Sequence, residues 1–218
     1  MELTEAEVKV LSGISFNAEE IKNGDLSDED LAMLMEMRAV ADYLKEKYPE
    51  NEFEITGCEP KSGTVKPYNE WYYRAKEIDR ESAFIARAED KDGKLLITDD
   101  FYSELIRKPV QDELVRILTE NRLPVVFVNA DFWEYFGKEY GKDITAIEVL
   151  KGKIPAGNDI KIFLDGSKLP TVPYESTISK IEGILKKEEI TGDVYIVILK
   201  SADSDLAKDR LYSDSIML

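Results

Sequence analysis

The chain has 218 residues, of which none is histidine and one is cysteine, and its formal net charge is -16. The absence of histidine excludes Ser–His and Cys–His catalytic pairs, and it leaves no side chain that titrates near neutral pH without a perturbed environment. With a single cysteine, an intrachain disulfide is excluded, as are zinc sites built on histidine and cysteine.

Residues 1–26 are polar and are predicted to be irregular. The first clear element is a helix over residues 28–48. Ser27 supplies an N-cap, and the acidic residues after it suit the positive end of the helix dipole. Pro49 ends the helix, since proline cannot continue its hydrogen bonding. The apolar positions that recur at helical spacing are Met33, Met37, Val40, Ala41, Leu44 and Tyr48.

Four strands are predicted to follow, over residues 53–58, 71–78, 82–89 and 94–98. A long loop, 59–70, separates the first two, whereas the other connections are short. Asp92-Gly93 lies where a tight hairpin turn requires positive backbone angles. Strands joined by short turns pair antiparallel, so we predict a meander whose apolar face is covered by helix 28–48.

The second half is predicted to begin with a helix that has Pro109 in its first turn and ends at Leu123-Pro124. A strand at Val125–Val128 is apolar at every position, which predicts burial on both faces. The elements predicted after it are a short helix capped by Asp143 and running to Leu150, a strand over 160–164, a helix over 177–189 capped by Ser176, and a strand over 194–200. This order predicts a parallel β-α-β unit, and no strand is predicted in the polar tail 201–218.

Together these elements predict an α+β fold in two halves. Residues 1–105 form the helix with its antiparallel meander, and residues 106–218 form a mixed α/β half with the β-α-β unit. A chain of this length accommodates either two small domains or one domain in which both halves share a core, and both arrangements remain open.

Three stretches of the chain resemble small uncharacterised proteins of Gram-positive bacteria. They are YLKEKYPENEFEITG (43–57), YNEWYYRAK (68–76) and DGKLLITDDFYSELIRK (92–108). The succession of helix, strand, hairpin, Asp-Gly turn and DDFY step is similar. The resemblance implies a protein that is surface-associated or lies near secretion or toxin loci, and it defines no functional residues.

Negative charge is concentrated at the start of the chain. Residues 1–60 carry 16 acidic and 5 basic side chains, whereas residues 61–218 carry 29 and 24. Such a surface repels phosphate groups, and no basic stripe is interleaved with aromatic residues, so we expect no nucleic-acid partner. No apolar run is long enough for membrane insertion. The lone Cys58 favours the cytoplasm, with export after loss of a signal segment as the alternative.

The segment 88–99 approaches the pattern of a calcium-binding loop. Asp90, Asp92 and Asp99 occupy ligand positions, but Ala88 stands where the first carboxylate belongs. Strand patterns flank the segment, so we predict a hairpin turn and no metal site. Glycine-rich phosphate loops are also absent from the sequence, and no cofactor is predicted.

Adjacent carboxylates at Asp99 and Asp100 suggest an alternative, a carboxylate-dependent and metal-assisted hydrolase. Neighbouring residues on a strand point to opposite faces, so the two need not share a site. A pocket that collects three or more carboxylates would favour the enzyme.

Four aromatic residues crowd together beside the 59–70 loop: Tyr68, Trp71, Tyr72 and Tyr73. Alternation along a strand places Trp71 and Tyr73 on one face and Tyr72 on the other. One face is expected to fill the core, and the other is a candidate partner-binding surface. A second cluster includes Phe132, Trp133 and Phe136, whose spacing favours core packing in a helix.

The absent catalytic residue types, the acidic first third and the aromatic segment favour a non-enzymatic module that binds another protein. An acidic surface suits a basic partner, as in inhibitor and immunity proteins. Neither the identity of the partner nor the oligomeric state follows from the sequence.

Overall fold

The computed structural model describes residues 2–141 and 143–218, and it has an α+β fold with two four-stranded sheets. The helices are α1 Glu5–Ile14, α2 Ala18–Lys22, α3 Asp28–Lys47, α4 Phe101–Glu120, α5 Ala146–Leu150 and α6 Tyr174–Lys187. The strands are β1 Phe53–Glu59, β2 Asn69–Ala75, β3 Phe84–Lys91, β4 Lys94–Asp99, β5 Val125–Asp131, β6 Asp159–Asp165, β7 Asp193–Leu199 and β8 Arg210–Met217.

Chain contacts divide the molecule into two compact units. Unit 1 runs to Phe101 and also contains Tyr135–Gly141, and unit 2 consists of Tyr102–Glu134 and the rest of the chain. The sequence placed the division after residue 105 and anticipated no return of the later segment to the first unit.

The start of the chain is helical, so the prediction of an irregular segment over residues 1–26 was wrong. Thr4 and Glu7 form a capping box that begins α1, because the Thr4 hydroxyl accepts from the Glu7 N–H and the Glu7 carboxylate accepts from the Thr4 N–H. Leu11 of α1, Ile21 of α2 and Leu34 of α3 form a small buried cluster. Leu11 and Ile21 come from helices of only 10 and 5 residues, which is why the apolar periodicity within either helix alone was weak.

Helix α3 confirms the predicted element almost residue for residue. Ser27 and Asp30 form its capping box, and two lysines lie in its last turn. Of the predicted apolar stripe, Met37, Val40 and Leu44 are buried, together with Tyr48 just after the helix. Local features were sufficient here, since the cap, the spacing and Pro49 all agree.

The predicted meander is present, because β1 to β4 pair antiparallel in sequence order. Asp92 and Gly93 adopt φ values of 55° and 77° at the β3–β4 hairpin. The Asp90 carboxylate accepts a hydrogen bond from the Gly93 N–H at 2.9 Å. The segment 88–99 therefore forms the hairpin that the sequence predicted.

One face of this sheet carries a core of aromatic rings. Phe101 packs edge-on against Phe53 and Phe84, with ring centres 5.1 and 5.0 Å apart, and Tyr73 packs edge-on against Phe53. Edge-to-face packing of this kind stabilises the core beyond the burial of apolar area.

Helix α4 begins at Phe101 and contains Pro109 in its interior, so the prediction that Pro109 lies in the first turn was wrong. The residue cannot donate to the preceding turn, and the helix continues on both sides of it. Its buried face carries Val110, Leu114 and Leu118, whose burial outweighs the lost backbone hydrogen bond.

The second sheet has the order β5-β6-β7-β8. Strands β6 and β7 are parallel and are joined through α6, as predicted for a β-α-β unit. The remaining pairs are antiparallel. Strand β8 lies in the polar tail where no strand was predicted. As an edge strand it is exposed along most of its length, so its sequence lacks an apolar alternation.

Two predicted helix caps in unit 2 were wrong. Thr145, not Asp143, is the N-cap of α5, and it forms a capping box with Glu148. Helix α6 begins at Tyr174 after Pro173, three residues before the predicted start. Proline suits this position because its fixed φ angle leads into a helix without requiring its own N–H.

Two further predictions in unit 2 were wrong. Strand β5 is half-exposed at Val125–Phe127, not buried on both faces. The segment after β5 is not helical, although helical core packing was predicted for its aromatic residues. Phe132 is buried, whereas Trp133 is 77% exposed. Over residues 2–141 and 143–218, no helix is long and apolar enough to cross a membrane.

Candidate functional site

The structure separates the four predicted aromatic residues into two pairs. Trp71 and Tyr73 are completely buried, and the Trp71 indole donates to the Glu36 carboxylate of α3 at 2.7 Å. Tyr68 and Tyr72 are half-exposed. Only Tyr68 and Tyr72 are therefore able to contact a partner in this conformation, because strand alternation turns the other two toward α3.

Arg87 is the centre of the exposed side of this sheet. Its guanidinium carbon lies 3.5 Å from the ring centre of Tyr135 and 4.7 Å from that of Tyr68. The guanidinium thus lies over two tyrosine rings, which attract the cation through their negative faces. Arg87 Nε also donates to Glu70 at 3.1 Å.

Strand register explains this arrangement. Glu70 of β2 lies directly opposite Arg87 of β3, and Tyr72 lies two residues further along β2 on the same face. Opposite charges at paired positions stabilise antiparallel strands. Tyr135 arrives from the segment that returns to unit 1, on which Phe136 forms a bridge with Asp99. We call Tyr68, Glu70, Tyr72, Arg87 and Tyr135 the aromatic–arginine patch.

The ionic groups of this patch balance one another. Lys66 donates to Glu59 at 2.9 Å and to Glu70 at 2.7 Å, and these hydrogen bonds raise the pKa of Lys66. Burial raises the pKa of the Tyr135 hydroxyl, so the ring stays neutral beside Arg87. Within the patch the charge of Arg87 balances that of Glu70, and beside it the charge of Lys66 balances that of Glu59.

A second polar constellation is buried in unit 1. Lys47 and Asp99 form an ion pair at 2.7 Å, with side chains 2% and 0% exposed. The hydroxyl of Tyr43 lies 2.6 Å from Asp99 Oδ2, and the hydroxyl of Tyr48 donates to Asp99 Oδ1 at 2.7 Å. The Phe101 N–H donates to the same Oδ1 at 3.0 Å. Both oxygens of Asp99 are therefore occupied by donors from the protein.

Lys47 is equally well satisfied. Its ammonium group donates to Asp99, to the Phe136 carbonyl at 2.8 Å and to the Tyr43 hydroxyl at 3.1 Å. Burial lowers the pKa of Lys47, and the charge of Asp99 opposes that shift. Burial likewise raises the pKa of Tyr43 and Tyr48. This network ties the Tyr135–Gly141 segment to α3 and β4, and it offers no free acceptor to a substrate.

Asp100 has different partners from Asp99. Its carboxylate accepts from the Ile85 N–H at 2.9 Å, and its own N–H donates to the Ile85 carbonyl at 3.2 Å. Burial raises the pKa of Asp100 to about 6. The two neighbouring carboxylates therefore serve separate hydrogen-bond networks, as the alternation of a strand end allows.

Within the described ranges, no three His, Cys, Asp or Glu side chains are grouped so that they could hold a metal ion. The segment 88–99 contributes no such group, because Ala88 is a buried position of β3 and its neighbours form the hairpin. Burial raises the pKa of the Cys58 thiol, which leaves it protonated and unreactive at neutral pH.

Unit 2 has an open hollow of about 310 Å³ at one end of its sheet. Asp159 and Asp193, paired across β6 and β7, are among the residues that line it, together with Tyr195, Ser215 and Met217. The hollow is shallow, and no feature of the sequence pointed to it.

Two of the five residues of the aromatic–arginine patch had been singled out from the sequence. Tyr68 and Tyr72 were among the predicted residues, whereas Arg87 and Tyr135 were not. The Glu70–Arg87 pair follows from the register of β2 and β3, which the sequence pattern did not determine. Tyr135 is 48 positions from Arg87 in the printed sequence, and no local pattern connects them.

No protein-family model matches this chain, and no curated protein matches it either. A distant structural neighbour is the crystal structure of a DUF5037 family protein from Ruminococcus gnavus, a Gram-positive gut bacterium. The two chains are 14% identical, the match covers 77% of this chain and 76% of the other, and the TM-score is 0.37.

Proposed function

We propose that this protein is a non-enzymatic binding module that engages another protein through the aromatic–arginine patch. The observation that carries the proposal is the contact of a half-exposed Arg87 with the rings of both Tyr68 and Tyr135. Tyrosine, tryptophan and arginine are the residues that dominate binding energy at protein interfaces.

Rigidity is the physical advantage of this patch. Arginine normally loses much rotamer freedom when it binds, and that loss opposes association. Here two rings and the Glu70 carboxylate already fix the guanidinium before a partner arrives. Tyr72 adds a half-exposed ring on the same face, and its hydroxyl donates a hydrogen bond to the Glu59 carboxylate at 3.3 Å.

The acidic first third of the chain supports a basic partner, as in inhibitor-like and immunity-like proteins. Residues 1–60 have a net charge of -11, and acidic residues such as Glu19, Glu20 and Asp28 are exposed on the N-terminal helices. Complementary charge of this kind mainly speeds the encounter, and salt weakens it.

A carboxylate-dependent hydrolase is the alternative, and Asp99 is its strongest candidate residue. The saturation of both Asp99 oxygens by Tyr43, Tyr48 and the Phe101 N–H weighs toward the binding proposal. A cytoplasmic location, favoured by the single cysteine, belongs to this proposal, with export as its alternative.

The proposal is tested by affinity capture from native cell extract at low and high salt, followed by binding measurements with each captured protein. Tyr72→Ala and Tyr135→Ala should each weaken binding about fivefold or more. Tyr212→Ala is the matched control, because Tyr212 is a half-exposed tyrosine in unit 2.

Folding of each variant is checked by thermal unfolding before binding is compared. A partner whose affinity changes equally in the patch variants and in Tyr212→Ala would remove this patch from consideration. Catalysis by the wild type that disappears in Asp99→Asn or Asp100→Asn, with folding intact, would favour the hydrolase.

A further inference from the structure

The guanidinium group of Arg87 uses only one of its three nitrogens for a hydrogen bond within the described chain. Nε donates to Glu70, but the two Nη atoms make no hydrogen bond within the described chain, and neither is a buried atom lacking a partner. The side chain is 31% exposed. A guanidinium fork is thus fixed in position while its terminal N–H groups face water.

Arg116 shows the contrast. Its Nε and Nη2 donate to Glu113, and its Nη1 donates to both oxygens of Glu120. These carboxylates use its hydrogen-bonding directions, so Arg116 has little left to offer a ligand. Arg87 has the opposite arrangement, because its guanidinium contacts two tyrosine rings and only its Nε is engaged by a carboxylate.

We infer that Arg87 is the specificity-determining residue of this surface and that it receives a carboxylate group of the partner protein. The inference rests on the proposed function and names the chemistry that the patch recognises. A carboxylate matches a guanidinium edge because two parallel N–H···O hydrogen bonds form at once. The contacts with Tyr68 and Tyr135 and the hydrogen bond to Glu70 restrict the orientation of the fork, so they also restrict the direction from which a carboxylate approaches.

Local charge permits this contact on an acidic protein. Glu70 is already engaged by both Arg87 and Lys66, and Lys66 also engages Glu59. Charges beyond about 8 Å are largely screened at physiological ionic strength, so exposed acidic groups farther than that from Arg87 oppose a carboxylate only weakly. The partner is therefore basic where it faces the N-terminal helices, and it offers an acidic group to Arg87. This pattern of charges fixes the orientation in which the two proteins bind.

The inference is testable on the intact protein without knowledge of the partner. Arginine side-chain N–H signals are followed by NMR while sodium benzoate or benzamide is added at constant ionic strength. Both probes carry the same ring, and only benzoate carries a carboxylate. The Arg87 signals should shift saturably with benzoate at a concentration several-fold lower than with benzamide, whereas the Arg116 signals should not.

Arg87→Lys is the decisive variant, since it keeps the charge and loses the fork. It should abolish the preference for benzoate, as seen in the Tyr135 ring signals, and weaken any captured partner about tenfold or more. The control Arg74→Lys changes an exposed arginine of β2 whose Nη groups donate to the Arg80 and Glu81 carbonyls, and it should preserve the preference.

Equal response to benzoate and benzamide, or equal response of Arg87 and Arg116, overturns the carboxylate inference. The proposed binding function survives that result if Tyr72→Ala and Tyr135→Ala still weaken a captured partner. If instead the benzoate preference is present but no partner depends on the tyrosines, the proposed function fails while the carboxylate site stands.

Discussion

At the scale of single residues, most of the chemistry that the sequence suggested is used for structure. Asp99 is the clearest case, because an aspartate beside a second aspartate invites a catalytic interpretation. Its carboxylate instead meets Lys47, two tyrosine hydroxyls and a backbone N–H. A buried ion pair is tolerated only when the remaining hydrogen-bonding capacity of both ions is satisfied, and that condition is met here.

Removal of Lys47 should therefore be costly. Lys47→Met leaves the Asp99 carboxylate buried without its cation, and we expect a loss of about 3–5 kcal/mol in the free energy of unfolding. The double variant Lys47→Met/Asp99→Asn should be less unstable than the single variant, since no charge is left unpaired. Urea unfolding measures both, and an unchanged midpoint for Lys47→Met would mean that Lys47 reaches solvent.

Asp100 predicts a dependence of stability on pH. Burial raises the pKa of Asp100 in the folded protein to about 6, above the ordinary value of 3.8, so the folded state binds this proton more tightly than the unfolded chain does. Ionisation of Asp100 therefore costs stability: the cost is absent below about pH 4, grows as the pH rises, and is complete above about pH 6.

Asp100→Asn removes that cost and keeps an oxygen that accepts from the Ile85 N–H. At pH 7 the variant should be more stable than the wild type by at most about 3 kcal/mol, and the difference should vanish near pH 4. Urea unfolding at both pH values measures it. A difference that is constant with pH would show that Asp100 titrates normally.

Part of the candidate site was predictable at this scale. Period-two alternation correctly divided Tyr72 from Trp71 and Tyr73, since it depends only on strand geometry. The contacts of Arg87 with Glu70 and Tyr135 were not predictable. The first depends on the register of the hairpin, and the second depends on a residue from a segment far away in the sequence. Chemistry that depends on contacts far apart in sequence is absent from local patterns.

At the scale of elements, agreement between local cues decided what the sequence predicted correctly. Helix α3 has a capping box, apolar spacing and a terminating proline, and all three place it alike. The start of helix α4 was predicted too late, because proline was expected in the first turn of a helix. That expectation describes the preference of an isolated helix, and burial of one face of α4 overrides it. Strand β8 was missed because its existence depends on pairing with β7.

The burial of α3 gives a prediction for packing. Leu44→Ala should lower the free energy of unfolding by about 2–5 kcal/mol, because Leu44 is completely buried. Met35→Ala is the matched control on the same helix, since Met35 is 63% exposed, and its effect should stay below about 1 kcal/mol. Equal effects of the two substitutions would contradict the orientation of the helix.

At the scale of the whole chain, negative charge is concentrated in one part of the sequence. The described part of residues 1–60 lies entirely in unit 1, and this segment carries most of the net negative charge. Like charges on one compact unit repel one another and destabilise it, and salt screens that repulsion. The sequence alone established this asymmetry, because formal charge does not depend on the fold.

Stability of unit 1 should therefore rise with salt at low ionic strength. Trp71 is a buried reporter in this unit, and Trp133→Phe removes the exposed tryptophan of unit 2 from the fluorescence signal. In that background the thermal midpoint should increase when sodium chloride is raised from about 0.01 to about 0.15 M, over which the screening length falls to about 8 Å.

Neutralisation of exposed acids tests the cause. Asp42→Asn with Glu54→Gln in unit 1 should raise the midpoint at low salt and reduce its salt dependence, because both carboxylates are exposed on the acidic segment. Glu175→Gln with Asp203→Asn, in the more nearly neutral remainder of the chain, should change the Trp71 midpoint less. If both pairs act equally, the concentration of negative charge in the first third does not limit the stability of unit 1.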